Sequence, residues 1–330
     1  MTRVSKQKAT IIGIMAVFFW AAMIGFMRLT SEAFGPTLGP ALIYTLSALG
    51  LLIVRTPKNI RKMPRKYLLI GGILMVYVEI ASTMAIVLAS SSKQTIEIGI
   101  VNYLWPTLTV LLFVATSKNV KPTWLIVPGT LLATGGVFCA VGGDGGLDIA
   151  SIMGNISSNP LPYLLAFSGA IAWAAYSVIT PAMSEGHDGL TLFFIATAVA
   201  FWALFLVTGC IMPEVTPQIP DLVPLIVTAV ILTAGYACWN FGIIYGDLGL
   251  MSTVSYAAPV LSSLSSSIIL ATTLSLSFWL SAAAVAVGSF MSYFSTKPKS
   301  DSSDSDSDGS ANVELDIRVE AEAPAAVAAE

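Results

Sequence analysis

Charge is scarce in this sequence. Only 11% of its 330 residues are charged, and His187 is its single histidine. An ordinary globular protein carries roughly 25% charged residues, and a soluble chain needs that polar surface to stay dissolved. The shortage excludes a cytosolic enzyme and a nucleic-acid binder. Cysteine is rare too: Cys139, Cys210 and Cys238 all lie in apolar segments. They form no disulfide framework and, with one histidine, no metal-ligand spacing, so they read as small apolar packers and no metal or cofactor is expected.

What is abundant is hydrophobic, at 55% of residues with a mean hydropathy of +0.81. A helix crosses ~30 Å of hydrocarbon with about 20 apolar residues. Ten such segments can be marked, at 10–30, 38–55, 67–90, 95–116, 122–141, 161–183, 189–210, 222–246, 249–272 and 276–296. The first has no small-residue cleavage site after it, so it is expected to stay as a helix. The fold expected is an all-α polytopic membrane protein embedded in the lipid bilayer.

Lys and Arg in short loops set orientation. Arg3, Lys6 and Lys8, the run Arg55 to Lys66, Lys118 and Lys121, and Lys297 and Lys299 all fall on one side of a ten-span chain. Only Arg28 and Lys93 fall on the other. Both termini are therefore expected in the cytoplasm. Residues 300–312 are acidic, Ser-rich and free of aromatics, so 297–330 reads as a disordered acidic cytoplasmic tail.

The chain repeats itself. Val101, Tyr103 and Pro106 recur as Val254, Tyr256 and Pro259, 153 residues on, and Trp20-Ala21-Ala22 recurs as Trp173-Ala174-Ala175 at the same offset. This predicts a first five-helix repeat over 1–145 and a second over 157–296, with 146–156 as an extracytoplasmic linker. Five is odd, so the second copy enters the bilayer from the opposite side. Inverted repeats are the architecture many secondary transporters use for alternating access.

Each repeat has a proline near the middle of its fourth span, Pro106 and Pro259. Proline lacks an N–H, so kinks are expected there, freeing the carbonyls of Asn102 and Ser255. Around them lie helical stripes of small and polar residues: Thr95, Gly99, Asn102 and Tyr103 in one span, Ser252, Ser255, Tyr256 and Ser262 in the other. Trp20 and Trp105 lie mid-helix. Trp173 and Tyr176 share a face, as do Tyr236, Trp239 and Asn240. Mid-membrane indole and phenol hydrogens need partners. An aromatic-walled cavity would stack planar rings and attract an ammonium group; plain core packing is the rival reading. Glu79 is the one carboxylate midway along a span, with Ser82 and Thr83 on its face. Binding a substrate amine, carrying a coupling proton and serving as a protonated structural group all remain open for it. No basic residue lies mid-membrane, so a multiply anionic substrate would find no counter-charge.

Ten helices in two inverted repeats resemble the drug/metabolite transporter superfamily (EamA-type), and within it the YddG-type bacterial aromatic amino acid exporters. The run Asn102-Tyr103-Leu104-Trp105-Pro106 carries most of that resemblance. Trp124 to Gly129, Ile171 to Tyr176, Ala237 to Ile243 and Tyr256 to Ser263 complete it. It implies an inner-membrane carrier that exports aromatic and other neutral amino acids and takes planar cations such as methyl viologen; a monomer is expected. It implies a central cavity built on Glu79, Tyr103, Trp105, Pro106, Trp173, Tyr176, Trp239, Tyr256 and Pro259. A multidrug or quaternary-cation exporter on the same scaffold is the alternative. An intramembrane enzyme would need a constellation that the lone His187, beside Glu185 and Asp188, does not provide.

Overall fold

The computed structural model describes residues 4–54, 60–117, 123–142, 149–210, 216–269 and 275–296. Those residues form thirteen α-helices and no strand. In chain order they are α1 (Lys6–Phe34), α2 (Leu38–Val54), α3 (Gly72–Val87), α4 (Ser92–Asn102), α5 (Trp105–Thr116), α6 (Ile126–Gly142) and α7 (Ile149–Ser158). Then come α8 (Pro160–Met183), α9 (Leu190–Val207), α10 (Leu222–Tyr245), α11 (Leu248–Val254), α12 (Ala257–Ile269) and α13 (Leu276–Thr296). Among the described residues, six stretches are long and apolar enough to cross a membrane: Arg65–Val87, Gln94–Thr116, Pro160–Met183, Leu190–Val207, Ile219–Tyr245 and Leu276–Ser295. Leu38–Val54 and Ile126–Val141 are shorter apolar helices. The acidic tail, the Gly-rich stretch 143–148 and the basic positions Arg55, Lys58, Lys118 and Lys121 lie outside the described residues.

Local chemistry explains where helices begin. Ser5 accepts the Lys8 N–H at the start of α1, and Asp247 accepts the Leu250 N–H at the start of α11. Pro160 opens α8, where its missing N–H has no helical partner to lose. The expected kinks are complete interruptions. α4 ends at Asn102 and α5 starts at Trp105, so Pro106 falls in a first turn. α11 ends at Val254 and α12 starts at Ala257, which puts Pro259 in a first turn too. The expected free carbonyl of Ser255 is in fact taken by the Ala258 N–H at 3.0 Å, because the chain tightens to three-residue spacing there. At the matching break the Leu104 N–H reaches the Val101 carbonyl at 3.1 Å in the same tightened pattern.

Residues 149–156 of the expected linker are also helical. Ile149, Ile152, Met153 and Ile156 recur at helical spacing in α7, and Asn155 docks it to the bundle through Glu97.

α1 packs along α10, and α3 along α8. Where α1 crosses α10, Gly13 meets Gly242. A Cβ on Gly242 would lie 2.6 Å from the Gly13 Cα, so neither position has room for a side chain. α6 runs along α13 through small residues in the same way.

Candidate functional site

A cavity of about 240 Å³ opens between α1, α3, α5, α8, α10 and α12. On α1 and α3 its lining residues, Trp20 to Met27 and Val78 to Ile86, fall past the first turns of their helices. It therefore occupies the part of the bundle remote from the N-terminus.

Its wall is aromatic. Trp20, Trp105 and Trp173 meet edge to face, with ring centroids 6.1, 5.7 and 6.3 Å apart. Tyr236 closes on Trp20 at 5.5 Å and on Trp173 at 5.3 Å. Edge-to-face contacts place positive ring edges against negative faces and hold the group rigid. Trp239 lies beneath, 5.4 Å from Trp20 and fully buried, with its indole N–H donating to the Ser177 hydroxyl at 3.1 Å.

One carboxylate faces the cavity, that of Glu79, and the Tyr236 hydroxyl donates to it. Ser82, Thr83, Asn102, Tyr103 and Ser262 supply the other polar groups, and none of the described lining residues is basic. An acceptor of negative charge inside aromatic walls suits a cationic amine on a ring-bearing molecule.

Of the residues singled out in the sequence, Glu79, Asn102, Tyr103, Trp105 and Trp173 come together here. Tyr176, Trp239 and Asn240 lie behind the wall, on the side of the N-terminus. The Tyr176 hydroxyl donates to Asn240 Oδ1 at 2.6 Å, and Asn240 Nδ2 donates to Asp188 Oδ1 at 2.6 Å. Tyr256 belongs to a separate buried cluster, where its hydroxyl donates to Thr107 at 2.9 Å. Pro106 and Pro259 are buried at the helix breaks. Tyr77 points away, bonding Ser168 at 2.7 Å.

Sequence reasoning left Trp20, Tyr236, Met23 and Met27 out of the site. Tyr236 lies three residues before Trp239, so helical period puts both on one side and does not say which faces a void. Met23 and Met27 repeat at four-residue spacing near Trp20, a signal shared with any packed face.

At the far end of the bundle, Glu97 of α4 is 5% exposed. It accepts the Tyr163 hydroxyl, and the Asn155 Nδ2 donates to it, lying 3.0 and 3.1 Å from its two carboxylate oxygens. Beside it, Asn159 donates to Gln94 Oε1 at 3.2 Å, joining α8 to α4. At the N-terminal end Lys6 pairs with Asp247 at 3.3 Å, joining α1 to α11.

Residues 160–294 match the EamA-like transporter family. The aromatic amino acid exporter YddG of Salmonella typhimurium is 41% identical over 89% of this chain and 99% of its own length. The Escherichia coli exporter of that name is 42% identical over the same shares, and that of Ancylobacter novellus is 26% identical over 79% of this chain. The chain belongs to the EamA-like transporter family. A solved crystal structure, 22% identical, shares the fold of this EamA-like chain at a TM-score of 0.72 over 87% of this chain and 98% of the other. As an EamA-like protein it is a multi-pass membrane transporter of a small molecule, and the aromatic cavity is the void to consider for that cargo.

Proposed function

We propose that this chain exports aromatic and other neutral amino acids across a bacterial inner membrane by alternating access. In this reading it is a monomer of ten spans in two inverted repeats, with both termini cytoplasmic. The observation that carries the substrate class is the cavity, whose Trp20, Trp105 and Trp173 rings and Glu79 carboxylate suit a planar ring and an ammonium group. The naming of relatives at 41% and 42% identity as aromatic amino acid exporters supports it.

The packing supports the repeat. Two helix breaks, after Asn102 and after Val254, sit 152 residues apart, within one residue of the repeat offset. The α1–α10 contact corresponds to α8–α3 under the same offset. Lys6 with Asp247 corresponds, residue for residue, to Asn159 with Gln94. Trp20 and Trp173, Glu79 and Leu232, Thr83 and Tyr236, and Trp105 and Ala258 are four pairs at offset 153 whose members line the one cavity.

The test is counterflow of labelled phenylalanine in proteoliposomes, with competition by unlabelled tryptophan, threonine and a quaternary cation. Inhibition by tryptophan well above that by threonine is the expected result. A carboxylate with no basic residue among the described lining would also suit a cation, so inhibition by the quaternary cation alone would replace this reading with the drug-exporter one.

Trp105→Ala is expected to weaken aromatic substrates about three- to tenfold more than threonine, since ring contacts contribute about 0.5–1.5 kcal/mol beyond burial. The measurement is half-saturating concentration for both substrates. Equal losses would assign Trp105 to the fold. Deleting 301–330 is expected to leave initial rates nearly unchanged at equal protein level, because the segment is acidic and lies outside the repeat. A reporter active only in the periplasm, fused after Lys299, is expected to stay silent; its activity there would reverse the assigned orientation.

A further inference from the structure

The cavity is one-sided with respect to the repeat. Four pairs of its lining residues exchange under the 153-residue offset, but the others map onto residues it does not reach. Met23 and Met27 map onto Tyr176 and Thr180, Ile86 onto Trp239, and Asn102 and Tyr103 onto Ser255 and Tyr256. Every one of these five counterparts has 0% exposure. One set of repeat positions faces the void while its duplicate is closed.

We infer that Tyr176, Thr180, Trp239, Ser255 and Tyr256 wall the substrate site when it faces the cytoplasm. The inference rests on the inverted-repeat reading above. In that state the Trp20, Trp173, Glu79 and Tyr236 group stays at the centre, and the wall on one side is exchanged for the wall on the other. The two walls differ chemically. The present one offers two thioethers, an aliphatic group, an amide and a phenol, from Met23, Met27, Ile86, Asn102 and Tyr103. The other offers two phenols, an indole and two hydroxyls, which suit the ring and the polar head of an aromatic amino acid.

Two further observations point to this path. The first is what keeps it shut. Tyr176 to Asn240 to Asp188 is a chain of hydrogen bonds at 2.6 and 2.6 Å, and the counterparts of Asn240 and Asp188 are Val87 and Gly35, which have no polar side chain to form one. The closure is a polar latch present in one repeat alone. The second is Ser184, one helical turn beyond Thr180. Its hydroxyl is buried at 0% exposure and has no hydrogen-bond partner, whereas its counterpart Ser31 is half-buried. A buried orphan hydroxyl is costly. Water in an open cytoplasmic path would supply its partner.

The test uses single cysteines in the full chain with Cys139, Cys210 and Cys238 replaced. Thr180→Cys reports the cytoplasmic path and Met27→Cys the present cavity. Each is labelled with a membrane-impermeant maleimide from its own side, without added amino acid. Adding Asn240→Ala, which cuts the latch, is expected to raise the Thr180→Cys rate at least threefold and slow Met27→Cys. Tyr176→Phe, which deletes only the donor hydroxyl, is expected to act in the same direction and serves if Asn240→Ala fails to fold. An unchanged Thr180→Cys rate in a folded latch variant overturns the inference, whether or not Met27→Cys slows. No substrate is present in the labelling, so a failure of phenylalanine transport alongside the expected shift would count against the amino acid reading and leave the path standing.

Discussion

Glu79→Gln is expected to weaken apparent affinity for phenylalanine by one to two orders of magnitude while the protein folds normally. Glutamine keeps the size of the side chain and can still accept the Tyr236 hydroxyl, but it carries no charge. What it loses is the charge-assisted bond to a substrate ammonium, worth about 1.5–3 kcal/mol, or ten- to a hundredfold in dissociation constant. Glu79 is the only carboxylate among the described lining residues, so none of them takes over. The measurement is the concentration dependence of counterflow. Survival of downhill exchange at unchanged affinity, with proton-driven accumulation lost, would assign the carboxylate to coupling. Wild-type affinity and accumulation would remove it from the site.

Gly136→Ala is expected to destabilise the fold by about 1–3 kcal/mol, and Gly135→Ala to leave it unchanged or slightly improved. The two neighbours on α6 face opposite ways. A Cβ on Gly136 would lie 2.8 Å from the Ser281 carbonyl and 2.9 Å from the Val285 N atom, both backbone of α13 that cannot swing aside. A Cβ on Gly135 meets nothing within 4 Å. Thermal unfolding in detergent compares them. Equal stability of the two variants would mean that α6 and α13 do not pack as described.

Much of the fold was legible before any coordinates, because apolar length and composition suffice to mark helices in a membrane. The breaks at Tyr103 and Ser255 were half legible. Proline announced an irregularity, but whether a helix bends or stops depends on which carbonyls the neighbouring turns reclaim. α7 was not read as an element, although Ile149, Ile152, Met153 and Ile156 fall at helical spacing, since the run is too short to span a membrane and gains its place through Glu97. In the site, Glu79, Asn102, Tyr103, Trp105 and Trp173 were found because a polar or aromatic residue in an apolar span invites a cavity. Tyr176, Trp239, Asn240 and Tyr256 carry the same signal yet are sealed in this conformation. Helical period reports a face, not which of two duplicated faces is open.

The two end joints hold equivalent positions in the proposed repeat, and they respond differently to the solution around them. Lys6 with Asp247 is an ion pair whose side chains are 65% and 43% exposed. Asn159 with Gln94 makes the equivalent link through neutral amides. Exposed ion pairs contribute roughly 0–1 kcal/mol and fade as salt rises, whereas an amide pair carries no net charge to screen. Ionic strength therefore acts on the Lys6–Asp247 joint and not on the Asn159–Gln94 joint. Salt on the N-terminal side is a handle on the first joint alone.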